Sequence, residues 1–103
     1  MASGTLGQAD LSAATNTTVY TVPASKLASF NVNVLNRTAS NVTVRMAISA
    51  NNSPSNSEFL EYEATIPANG VMERTGLVAS AGKNLVVYAS STGVSVNVFG
   101  FEE

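Results

Sequence analysis

Residues 28–36 alternate strictly: Phe30, Val32 and Val34 fall on one side, Ser29, Asn31 and Asn33 on the other. That two-residue period is the signature of a half-buried strand. Residues 41–49 repeat it, with Val42, Val44, Met46 and Ile48 inward and Thr43, Arg45 and Ala47 outward. The link between them, residues 37–40 (RTAS), is short enough for a β-hairpin. Upstream, residues 17–22 (TTVYTV) are rich in β-branched and aromatic side chains, and Pro23, which has no ladder donor, ends that strand. Residues 58–66 alternate again, with Leu60, Tyr62, Ala64 and Ile66 opposed to Phe59, Glu61, Glu63 and Thr65. Residues 71–78 form a less regular strand interrupted at Gly76, where a bulge or a crossing between sheets is natural. Residues 85–89 and 94–101 complete the set, and turn-forming stretches (NNSPSNS, PANG, AGKN, SSTG) separate the later runs.

No segment carries apolar residues at helical spacing over a helical length. Seven or eight strands with frequent turn signals predict an all-β, antiparallel β-sandwich, either a jelly roll or an Ig-like Greek key. The expected core is Phe30, Val32, Val34, Val42, Val44, Met46, Ile48, Leu60, Tyr62 and Ile66. Residues 1–16 are of another kind, dominated by Ala, Ser, Thr and Gly with Leu6 and Leu11 isolated among them. They predict an extended N-terminal arm, 1–16, ahead of a sandwich domain, 17–103, with the arm either a flexible tail or a segment that orders against a partner.

Composition narrows the function. Only 12% of the 103 residues are charged, so Ser, Thr and Asn must cover much of the surface. A net charge of −2, with the five cations Lys26, Arg37, Arg45, Arg74 and Lys83 scattered along the chain, predicts no nucleic-acid partner, because phosphate binding needs clustered cations. The chain has no Cys and no His, which removes thiolate and imidazole chemistry, disulfides and nearly all zinc sites. The start MASGTLGQADL has neither the basic nor the apolar region of a secretory signal, and no run is apolar enough to span a membrane, so synthesis in a cytoplasm and no membrane partner are expected. The sequons at Asn16, Asn36, Asn41 and Asn51 are read as chance matches in a chain rich in Asn, Ser and Thr.

The inventory for catalysis is nearly empty, and no enzyme activity, cofactor or metal is expected. Glu61 and Glu63, two apart on a strand, place two carboxylates about 7 Å apart on one face, but no other residues of a glycosidase or calcium site join them in sequence. A Ser–Lys dyad with Lys26 or Lys83 lacks any S-x-x-K motif, and both lysines read as turn residues. Tyr20, Phe30, Tyr62 and Tyr88 read as core or core edge, whereas Phe59 shares a face with the glutamates and is the exposed aromatic best placed to anchor an interface. The candidate interface residues are therefore Leu6, Leu11 and Phe59. Gly100 marks a bulge or the close approach of another backbone, and the terminal acids Glu102 and Glu103 are expected to keep that end soluble.

The runs TTVYTVPASKLASFNVNVLNR, EYEATIPANGVMERTGLVASAGKNLVVYAS and VSVNVFGFEE, over residues 16–103, resemble small virion structural proteins of tailed bacteriophages, especially those of marine bacteria and cyanobacteria. The resemblance lies in scaffold phrases such as IPANG and SAGKNLVVYAS and transfers no individual functional residue. It implies a β-sandwich capsid decoration, or cement, protein, made in the host bacterial cytoplasm and located on the virion. Its implied partners are the major capsid protein or other virion proteins, while the small size, low charge and sheet edges to be covered predict association with copies of itself, with a trimer as the expected assembly. A tail, fibre or baseplate component of the same particle is the nearest alternative; a carbohydrate-binding sandwich, with little Asp and no Trp to support it, is a more distant one. Deleting the arm is expected to spare the fold and weaken attachment to the particle.

Overall fold

The computed structural model describes residues 3–103; Met1 and Ala2, the start of the predicted arm, lie outside the described residues. The strands are β1 (Ser3–Asp10), β2 (Thr17–Thr21), β3 (Leu27–Asn36), β4 (Val42–Ser49), β5 (Phe59–Ile66), β6 (Val71–Ser80), β7 (Asn84–Ala89) and β8 (Val94–Glu102), with one 3₁₀ turn at Asn56–Glu58. They form two four-stranded sheets, ordered β1-β8-β3-β6 and β2-β7-β4-β5, with antiparallel pairing throughout. The pairs β1·β8, β2·β7, β3·β6 and β4·β5 are those of one long folded ribbon, and β3·β8 and β4·β7 are the contacts made when that ribbon rolls up. The result is a β-sandwich with jelly-roll connectivity, which resolves the choice between jelly roll and Ig-like Greek key.

The core lies between the sheets. Val32 and Val34 of β3 and Val96 and Val98 of β8 belong to the same buried cluster as Val44, Met46, Leu85 and Val87 of the other sheet. The strict alternation of β3 is reproduced residue for residue, because a sheet with one packed face buries every second side chain. Seven of the ten expected core residues are fully buried, and Ile48 and Leu60 pack against the cluster from its margin. Tyr62 is the exception and is taken up below. At Gly76, φ is +69° and β6 carries an extra residue opposite Phe30 and Val32; its amide bonds the Asn31 side chain at 3.0 Å. This is the bulge expected there, at the residue that adopts positive φ without penalty.

Three expectations are overturned. The N-terminal arm is not an arm from Ser3 onward: β1 pairs with β8 along its length, Leu6 packs against the core at a β1 bulge, and Leu11 is 2% exposed within the core. Its Ala, Ser, Thr and Gly content hid an edge strand that needs few large side chains because it covers the periphery of the sandwich. The link at residues 37–40 is not a hairpin either. Both edges of β3 are already occupied, by β6 and β8, so β4 must cross to the second sheet. Finally, Glu102 does not serve solubility; it is 7% exposed and accepts a 2.5 Å bond from the Tyr20 hydroxyl. Its parity with Val94, Val96 and Val98 turns it inward.

Asn36 secures the crossing. It is 0% exposed, and its Nδ2 donates to the carbonyls of Ser40, Ile66 and Pro67 at 2.7, 3.1 and 3.0 Å. Its Oδ1 accepts from the Thr38 amide at 2.9 Å and the Thr38 hydroxyl at 2.7 Å. One side chain thus ties the end of β3, the crossover and the β5–β6 turn together, and both of its own polar atoms are paired where it is buried.

Candidate functional site

Antiparallel pairs put facing residues on the same side of a sheet, so the register specifies what each outer surface presents. On β1-β8-β3-β6 one row runs Ser3, Phe101, Ser29, Val78, the next Thr5, Phe99, Asn31, the next Gln8, Asn97, Asn33, Glu73, and the last Asp10, Ser95, Leu35, Val71. Leu27 extends the first end. Of the six exposed large apolar side chains among the described residues, five stand on this face: Leu27, Val71, Val78, Phe99 and Phe101. The two phenylalanines rise from β8 between the short side chains of β1 and β3, giving a ridge flanked by troughs. Charge is confined to the margins, with Glu73 on β6 and Asp10, bonded to Arg37, on β1.

Phe99 and Phe101 share this face because Gly100 takes the inward position between them. A Cβ on Gly100 would collide with the Ser29 carbonyl and lie 2.6 Å from the Phe30 Cα, so the close backbone approach expected there requires glycine. The signal was present in VSVNVFGF: Val94, Val96 and Val98 mark the inward parity, which leaves both phenylalanines outside with Ser95 and Asn97.

The outer surface of β2-β7-β4-β5 differs. The loop between β4 and β5 folds back over part of it, where Asn52 exchanges bonds with Asn16 and accepts one from Thr18. Glu58 holds the same loop by accepting from the Ser49 and Ser55 hydroxyls and the Ser55 amide, and the Ser55 amide first, then Ser49, draw its carboxyl below the ordinary range. Beside it, the Arg45 guanidinium lies 4.4 Å from the Tyr88 ring centre and 4.7 Å from that of Tyr62. Arg45 also donates to Glu63 at 2.6 Å, and that bond is the leading cause holding the Glu63 carboxyl below its usual range. Phe59 meets Tyr62 edge to face at 5.0 Å.

The position of Tyr62 corrects the expected inward reading. β5 carries extra residues opposite β4 between Val44 and Met46 and again between Met46 and Ala47, and Glu63 adopts φ +52°. The bulge breaks the alternation, so Ala64 and Ile66 stay inward while Tyr62 turns out and is 59% exposed. A bulge also separates the two glutamates: Glu63 bonds Arg45 on its own sheet, and Glu61 reaches Arg74 of the facing sheet at 2.7 Å. They form no carboxylate pair. Phe59 lies at the expected surface but half-buried, opposite Ala47, while Leu6 is half-buried against the core and Leu11 is buried within it. Lys26 and Lys83 sit in turns, each amide bonded to the carbonyl three residues before it, Pro23 and Ser80. No group of three or more metal-ligating His, Cys, Asp or Glu residues occurs among the described residues. No protein-family model, curated protein or solved structure matches the chain.

Proposed function

We propose that the chain is a non-enzymatic structural module of a tailed-phage virion that decorates the capsid shell and stabilises it by binding between capsid subunits through the outer face of β1-β8-β3-β6. The observation that carries this reading is the exposure of Leu27, Val78, Phe99 and Phe101 toward one end of a single sheet face, with Val71 at the other end beyond a polar row. Clustered exposed apolar side chains mark an interaction site, and aromatic residues with few charges are the composition of an interface centre. Four strands of this length present about 550 Å² of face, or about 1,100 Å² over two partners, enough for a specific contact. The sequence resemblance supplies the particle, and jelly rolls are at home in capsid domains. A ligand that binds only the assembled shell lowers its free energy by RT ln(1 + [L]/Kd) at every site, and many sites multiply a small gain. A second copy in an isologous pair, or a tail, fibre or baseplate protein, is the alternative occupant of the same face.

The test is cosedimentation of the protein with undecorated shells. Wild type should bind, and the double variant Phe99→Ser, Phe101→Ser should fail to bind while keeping a cooperative melt, with a melting temperature lowered only in part because the rings are 39% and 43% exposed in the isolated chain. Undiminished decoration by the double variant removes this face from the reading. Locating the protein in an image reconstruction separates capsid from tail.

A further inference from the structure

We propose a second site on the opposite sheet: a neutral saccharide binds against Tyr62, in the groove lined by Asn56, Phe59 and Tyr62. The groove measures about 480 Å³. It is the size of a small-ligand site.

The fold spends several features on this ring. The β5 bulge takes Tyr62 out of the core parity that its neighbours follow, and bulges next to binding sites act by re-aiming a side chain in this way. Glu63, a non-glycine residue, occupies the left-handed region at φ +52°, a conformation retained only where its surroundings enforce it. Arg45 lies over one face of the ring while bonding Glu63, and Phe59 meets the ring edge to face, so a ligand meets only the part of Tyr62 that remains exposed toward the groove. Tyr62 is 59% exposed and already has Arg45 and Phe59 against it before any ligand arrives. Such preorganisation reduces the ordering cost of binding.

The chemistry of the rim selects the ligand. Arg45 and Glu63 neutralise each other at 2.6 Å outside the groove, whose own lining of Asn56, Phe59 and Tyr62 carries no charge. The exposed Asn56 amide at the groove's margin adds a donor and an acceptor. A ligand that meets an aromatic surface with C–H groups and presents hydroxyls around its edge satisfies both requirements. That is a pyranose. Because the two sites lie on opposite sheets, a module docked by its Phe99 and Phe101 face leaves Tyr62 turned to solvent, and each site can fail without the other.

The experiment is a ¹H–¹⁵N NMR titration of the full chain with the methyl glycosides of glucose, galactose, mannose and N-acetylglucosamine. At least one should give saturable shifts confined to Arg45, Asn56, Phe59–Glu63 and Tyr88, in about the millimolar range expected for one stacked sugar. Tyr62→Phe keeps the ring and should bind within about threefold of wild type; Tyr62→Ala should weaken binding about tenfold or more, a difference of about 1.4 kcal/mol. No saturable shift with any of the four sugars, shifts centred elsewhere, or undiminished binding by folded Tyr62→Ala overturns the proposal. Should Tyr62→Ala not fold, the wild-type shift map and the Tyr62→Phe titration decide alone.

Discussion

Replacing Asn36 by alanine tests how the two sheets are joined. The substitution removes a fully buried amide that donates to three carbonyls and accepts from the amide and hydroxyl of Thr38. A net hydrogen bond contributes about 1 kcal/mol, and a buried polar group left without a partner costs about 1–3 kcal/mol. The Ile66 carbonyl is the buried acceptor, whereas Ser40 and Pro67 lie nearer the surface, where water can partly replace the lost donor. The expected loss is therefore about 3–4 kcal/mol, a large share of the total stability of a domain this size, and about 15–25 °C in melting temperature. Urea unfolding should show the midpoint fall with the slope unchanged. Asn36→Asp sharpens the test. It keeps the shape and the acceptor but faces a carboxylate toward carbonyl oxygens, so it should be at least as unstable at neutral pH and recover partly in acid, where the protonated group can donate. A loss below about 1 kcal/mol for Asn36→Ala would refute the role given to this side chain.

Two further outcomes follow from the fold. Deleting residues 2–15 removes β1 and Leu11, unpairs one edge of β8 and opens the core, so the truncated chain should lose its cooperative melt and its β-sheet circular dichroism; retention of both would show that β1 is dispensable. Stability should also fall at both pH extremes. Glu58, held below its ordinary value first by the Ser55 amide, and Glu63, held below it first by Arg45, contribute stability that is present above the unfolded carboxylate pKa of about 4.5 and lost as pH falls through their lower folded values. Tyr20 is raised by burial first and Glu102 second; its contribution is present below the ordinary tyrosine value of 10.0 and lost as pH rises above it. Melting temperatures across pH should show a Glu63→Gln variant with a shallower acid limb and a Tyr20→Phe variant with a shallower alkaline one; limbs identical to wild type would contradict these assignments.

Periodicity located strands where one packed face forces alternation. β3 and β8 are central strands with long registers, and their inward valines could be picked out by counting in twos. β1 could not, because an edge strand of Ser, Gly, Thr and Ala buries little, and its place is determined by pairing with β8, nearly ninety residues away. Strand order escaped for the same reason: residues 37–40 have the length of a hairpin, and only the occupation of both edges of β3 sends β4 elsewhere. Parity failed at β5, where bulges shift the count between Phe59 and Ala64 and carry Tyr62 outside. The outward pair Phe99 and Phe101 was accessible from the sequence, since Gly100 sits on the inward count that Val94, Val96 and Val98 establish.

The proposed saccharide site arose where the regular pattern broke, and the proposed docking face where it held. On β8 an undisturbed alternation carries Phe99 and Phe101 outward onto the face of a four-stranded sheet. On β5 a bulge and a left-handed residue isolate one tyrosine beside a neutral ion pair, which suits a small ligand. Jelly-roll connectivity puts the two on different sheets, β8 in one and β5 in the other. A module built this way can be immobilised through one sheet while the other stays accessible. Mutations at Phe99 and at Tyr62 are then expected to separate cleanly, because the two side chains stand on different sheets with the core between them.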